Sequence, residues 1–254
     1  FIAEITNIPP DPRQPYVGQT VFAHKGGIHV SAVRRNPVTY EHIVPETVGN
    51  TRRVLVSELS GQSNVYSKAE ELGIDLTNAS DEAKSVVREM KELEADGYQF
   101  EGAEASFELL VKKALGKHRS FFELKGFRAI TYCQVAGACT AEAIVRLQVK
   151  GEDRHTVADG DGPVNALDRA LRKALEQDYP EVKSVHLTDF KVRVLDASSG
   201  TAAKVRVLLQ STDGKTTWTT VGVSENIIEA SWRALVDSID YQLLKVEESA
   251  QATA

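Results

Sequence analysis

The chain has 254 residues, 42% of them apolar and 26% charged, a composition that builds one or two cores and excludes a disordered tail or a fibrous repeat. Its 36 acidic side chains outnumber 30 basic ones, and the net charge of −6 leaves no broad electropositive surface for a nucleic-acid backbone. No apolar run approaches the ~20 residues of a bilayer crossing and no secretory leader pattern opens the chain, so the expectation is a cytoplasmic protein without membrane or nucleic-acid partners.

Pro9, Pro10, Pro12 and Pro15 fall within the first fifteen residues, where missing N–H donors make a poor element interior, so residues 1–16 read as a linker from an upstream part. A short helix near Ile28–Arg35 must end before Pro37. Ser60 reads as the cap of a helix starting near Asn64 rather than as a nucleophile, since no G-x-S-x-G surrounds it. Asp81–Ala95 places Val86, Val87, Met90 and Leu93 on one face, and Ala103–Leu115 does the same with Phe107, Leu110, Val111 and Ala114. Gly97 and Gly116 stand where left-handed C-caps need glycine. After Ser120 the period changes to two, most cleanly over Ala141–Lys150.

The part beyond Ser120 repeats itself. Val145-Arg-Leu-Gln-Val resembles Val205-Arg-Val-Leu-Leu at an offset of 60, and the helix beginning Ala166-Leu-Asp-Arg resembles that beginning Ala230-Ser-Trp-Arg at an offset of 64. Each half reads as βββα, and neither buries its sheet face alone. The fold class is therefore α+β. The expected domains are the linker 1–16, accessory subdomains 17–65 and 66–119, and a doubled βββα domain over 120–250. Cys133 and Cys139 lack metal-ligand spacing and are expected as free thiols.

His24 and His29 are five residues apart, off the one-turn spacing that lets a helix offer both to one metal. The glycines before His29 instead present an imidazole at a helix start, where the dipole favours its neutral form; a plain loop histidine is the bland alternative. Tyr40, Glu41 and His42 put three proton-transfer groups in one turn, although a tyrosine there more often anchors its ring. Gly160-Asp-Gly162-Pro163 and Gly222-Val-Ser-Glu225 each open a helix. Asp159 and Asp161 disfavour a phosphate at the first turn, so a zwitterion fits better than a nucleotide, with simple helix capping the alternative.

Gly27-Ile28-His29 with Tyr40-Glu-x-x-x-Pro45-Glu-x-x-Gly49 and Ser60-Gly61 resembles the region after the catalytic barrel in the citramalate synthase and 2-isopropylmalate synthase family. Gly160-Asp-Gly-Pro-Val-Asn-Ala166 and Gly222-Val-Ser-Glu-Asn-Ile227 resemble the helix starts of that family's doubled βββα regulatory domain. Within the family, Ala23-His-Lys-Gly-Gly-Ile-His29 and the run Gly97–Phe107 are closer to the citramalate branch. The resemblance implies a Claisen-type acyltransferase that condenses acetyl-CoA with pyruvate on a divalent metal. That metal would sit in a TIM barrel lying outside this chain, which alone would be inactive and carry no cofactor or metal of its own. It also implies a homodimer in which His29 and Tyr40 assist catalysis. A branched-chain effector, isoleucine for this branch or leucine for the other, would lie among Val164, Asn165, Ala166, Leu187, Asp189, Phe190, Val223, Ser224 and Ile227. A free-standing amino-acid sensor is the rival reading.

Overall fold

The computed structural model describes residues 11, 13–18, 20–24, 26–54, 80–100, 102–133, 137–195 and 197–253. The expected helix near Asn64 lies outside them. The chain divides into two compact units, 1–95 and 96–254.

In the first unit, β1 (Ala23–His24) and β2 (Arg53–Val54) form a short parallel pair. Between them α1 (Gly27–Arg35) buries Val30 and Val33. It stops at Asn36, whose φ of −154° and ψ of 105° are the extended values that the following Pro37 demands. Further on, α2 (Ser80–Ala95) buries Val86 and Met90, as its 3.6-residue period predicts.

The second unit opens with α3 (Glu104–Ala114), so the expected 66–119 segment is shared between the units. Gly116, at φ 63°, ends this helix in a left-handed cap: its N–H reaches Lys113 O and that of Lys117 reaches Lys112 O. Then follow β3 (Phe122–Cys133), β4 (Cys139–Val149), β5 (Glu152–Gly160) and α4 (Pro163–Leu175). The order repeats as β6 (His186–Val194), β7 (Val205–Thr212), β8 (Thr217–Ser224) and α5 (Ile227–Thr253). Both sheets are antiparallel meanders, β3-β4-β5 and β6-β7-β8. The doubled βββα expectation holds.

Alternation explains the layers. Ala141, Ala143, Val145, Leu147 and Val149 all point inward and are buried, and Leu167, Leu171 and Leu175 of α4 close over them, each burial contributing about 1.5–3 kcal/mol. In the second half α5 covers β7 and β8, while α3 packs against β8 and α5.

The halves match in detail. Thr156 Oγ1 donates to Ala170 O and Thr220 Oγ1 to Ala234 O, both at 2.8 Å and 64 positions apart. Arg169 reaches Asp159 O at 3.1 Å, and Arg233 reaches Val223 O at 2.7 Å. Both first strands carry an irregularity at the equivalent place, Leu124/Gly126 and Leu187/Asp189. Val145 pairs with Phe127 and Thr156 as Leu209 pairs with Phe190 and Thr220, so β3 and β6 align at 63, whereas β4 with β7 and β5 with β8 align at 64. The offset of 60 expected for β4 and β7 is corrected by four residues, a slip that side-chain alternation hides because four is even.

The free-thiol expectation is also corrected. Cys133 and Cys139 are directly opposite at the end of the β3–β4 hairpin, 4.0 Å apart at Cα, and form a disulfide. Antiparallel pairing brings the two Cβ atoms within bonding reach, which linear spacing does not display.

Candidate functional site

The expected site residues fall into two groups, one in each unit. In the first, His29 is the third residue of α1 and its ring stacks on Tyr40, with centroids 4.2 Å apart and planes at 26°. Gly26 leaves the space that the His29 ring covers: a Cβ there would lie 3.9 Å from the imidazole. Tyr40, 46% exposed, follows a 3-10 turn at Pro37–Thr39. The turn is fastened by its neighbour. Glu41 is buried, takes Arg52 Nε at 2.7 Å and a second Arg52 nitrogen on its other oxygen, and lies 2.9 Å from His24 Nε2. The Arg52 hydrogen bonds hold the Glu41 carboxyl below its ordinary range despite burial. His24 is therefore a structural partner of Glu41, while His29 and Tyr40 present an imidazole and a phenol side by side.

In the second unit a cavity of about 340 Å³ lies between the halves. Val164, Asn165, Asp168 and Arg172 of α4 form one wall, Leu187 and Phe190 of β6 another, and β7 and α5 close it with Leu209, Ser211, Leu235, Ser238 and Ile239. Its surface is mostly apolar with polar groups at defined places. Asp168 takes Arg172 Nε on both oxygens at 2.9 and 2.8 Å, and Arg172 Nη1 donates to Val182 O and Val185 O. Trp218 Nε1 donates to Ser238 Oγ at 3.0 Å, and Ser238 donates to Ser211 Oγ at 2.8 Å. That relay leaves the Ser211 proton to serve an acceptor inside the cavity. Asn165 Oδ1 takes the Asp161 N–H at 3.2 Å, closing the helix start.

Four expected effector residues, Val164, Asn165, Leu187 and Phe190, thus line one cavity; five others do not. Ala166, in the first turn of α4, is fully buried against the sheet. Asp189 turns outward to Lys191 at 2.6 Å, a hydrogen bond that lowers its pKa. Val223 is covered by residues 96–100: a Cβ on Gly97 would sit 3.4 Å from it, and Arg206 ties Gly97 O and Gln99 to β7. Ser224 donates to Glu229, and Ile227 is exposed. The second helix start is therefore occupied by the chain itself. Sequence reasoning missed Asp168, Arg172, Ser211 and Ser238. A signal existed for the first two: at offset 64 they correspond to Trp232 and Val236, and Trp232 stacks on Phe127 at 5.0 Å, the position matching Phe190. One cleft of the repeat is filled by tryptophan and the other is open. Among the described residues no group of three or more His, Cys, Asp or Glu is placed to hold a metal ion, and no helix is long and apolar enough to cross a membrane.

Comparison with known proteins gives this geometry its class. Residues 101–243 match the LeuA allosteric (dimerisation) domain, and residues 16–98 match the homocitrate synthase post-HMGL domain-like family. The chain belongs to the LeuA allosteric domain family and represents the C-terminal region of the citramalate synthase family. It is 54% identical to the (R)-citramalate synthase of Geobacter sulfurreducens and 53% identical to that of Aquifex aeolicus, each over 98% of this chain and 47% of the relative. Identity is 30% to a probable 2-isopropylmalate synthase of Methanopyrus kandleri, over 94% of this chain and 46% of the relative. The chain spans about half the length of the curated relatives it matches.

Proposed function

We propose that this chain is the regulatory portion of a homodimeric (R)-citramalate synthase, which condenses acetyl-CoA with pyruvate in branched-chain amino acid biosynthesis and binds isoleucine as feedback inhibitor in the cavity between α4 and β6–β7. The observation that carries this reading is an open cavity of mostly apolar lining, sized for a small amino acid, in a chain 54% identical to a citramalate synthase. Leu187, Phe190, Leu209 and Ile239 would take a branched side chain, Asp168 the ammonium, and the Ser211 hydroxyl the carboxylate. His29 and Tyr40 would serve proton transfer in the condensation, the stacked pair supplying a base and an acid within reach of one substrate atom. The divalent metal would polarise the 2-oxo acid from a barrel outside this chain. Inhibition requires the effector to favour one arrangement of the enzyme, typically by ~1–3 kcal/mol.

Calorimetry of the full-length protein tests the effector site. Isoleucine should bind saturably and leucine weakly, and Ser211→Ala should weaken isoleucine about tenfold. Leucine binding in its place moves the chain to the 2-isopropylmalate branch; binding of neither removes the regulatory reading. In parallel, citramalate formation from acetyl-CoA and pyruvate should fall on His29→Ala with isoleucine affinity unchanged.

A further inference from the structure

The repeat supplies an internal control for a second site. On the outer face of β3-β4-β5, Arg146 stands directly across from His155 on one side and Gly126 on the other, and Arg128 pairs with Ile144 in the next row. These residues, with Lys125 and Phe127, line a groove of about 340 Å³ at the β3 irregularity. Arg128 and Arg146 are diagonal neighbours on one face of adjacent strands, where like charges cost stability, and in a chain of net charge −6 that cost needs a reason. Among the described residues Arg128, Arg146 and His155 take part in no ion pair, and Lys125 alone pairs, with Glu123.

The second half shows what neutralisation looks like. The position matching Gly126 is Asp189, which pairs with Lys191, the counterpart of Arg128. Arg146 and His155 are replaced there by Gln210 and Thr219. So the half that carries the cations lacks the carboxylate, although nothing steric forbids one: a Cβ on Gly126 would meet no atom within 4 Å. The outer face of the second sheet is also covered by α3 at β8, with Val221 and Val223 buried, whereas Arg128, Arg146 and His155 are exposed.

We propose that this groove binds a phosphate-bearing small molecule. Two guanidinium forks and a lysine match the several oxygens and double charge of a phosphoryl group, and Ile144 offers an apolar wall to the rest of the ligand. The site is separate from the amino-acid cavity and does not depend on it.

Pyrophosphate titrated calorimetrically into the full-length protein at low ionic strength is the test, with malonate as a carboxylate control. Saturable binding of one pyrophosphate per chain is expected, weakened roughly tenfold or more by Arg146→Gln and by Gly126→Asp, which installs the carboxylate found in the other half. Unchanged melting of both variants, and unchanged isoleucine affinity, would confine the effect to the groove. Absence of saturable binding, equal affinity in wild type and both variants, or malonate binding as tightly as pyrophosphate would each overturn the assignment.

Discussion

Gly222 and Gly160 sit where β8 and β5 pass under their helices, and neither has room for a methyl group. A Cβ on Gly222 would come 2.1 Å from Ala230 O, and one on Gly160 2.4 Å from the Ala166 nitrogen. Both obstacles are backbone, so relief requires a strand to move away from its helix. Gly222→Ala and Gly160→Ala should each cost about 1–3 kcal/mol, read as a lower melting temperature. Gly162, with nothing within 4 Å of an added Cβ, should tolerate alanine with a much smaller change. If all three variants melt alike, close strand–helix approach is not what these glycines provide. The same reasoning explains why the sequence signal at these turns suggested ligand contact: a glycine demanded by packing and one demanded by a bound ligand look identical in a string of letters.

At the scale of elements, each helix is tied to its sheet by the same hydroxyl, Thr156 to Ala170 O and Thr220 to Ala234 O. Replacing either threonine by valine keeps the volume and removes one hydrogen bond, so each variant should lose ~0.5–1.5 kcal/mol in denaturant unfolding. The two bonds share no residue, so the double variant should lose the sum to within ~0.5 kcal/mol; a large excess would mean that the halves are coupled through these bonds. The doubled βββα order was legible because alternation in the strands and the apolar stripe of each helix survive in both copies. The offset between the copies was not, since a four-residue slip preserves every inward side chain, nor was the β3–β4 pairing register on which the Cys133–Cys139 bond depends. The cavity was half legible. Val164, Asn165, Leu187 and Phe190 follow from the repeat and the resemblance, but treating the helix starts as equivalent also drew in Val223, Ser224 and Ile227. Whether a helix start is open depends on a distant segment, here residues 96–100 folded over Val223, and no local pattern announces it.

At the scale of the molecule, the second unit is closed by a charged seam where α3 meets α5. Lys112 is buried between Glu108 at 2.6 Å and Glu248 at 2.8 Å, while His118 meets Asp240 at 2.6 Å. Ser106 accepts the Val221 N–H at 3.0 Å and donates to Asp237 at 2.8 Å, joining α3, β8 and α5 in one line. Burial pushes the carboxyls of Asp237 and Asp240 above their ordinary range, opposed by Lys113 for the first and by His118 for the second. A carboxyl whose folded pKa exceeds its unfolded value holds its proton more tightly in the native state. Its contribution therefore declines as pH rises from the ordinary value of 3.8 through the raised one, and the charged forms weigh against folding at neutral pH. Asp237→Asn keeps an acceptor for Ser106 and removes the half-buried charge. Its melting temperature should exceed that of the wild type by a few degrees at pH 7, and the gain should vanish below about pH 3, where the carboxyl is protonated in both states. A variant less stable than wild type at pH 7 would show that the Lys113 attraction outweighs desolvation, and the seam would then be an electrostatic clamp that strengthens with pH.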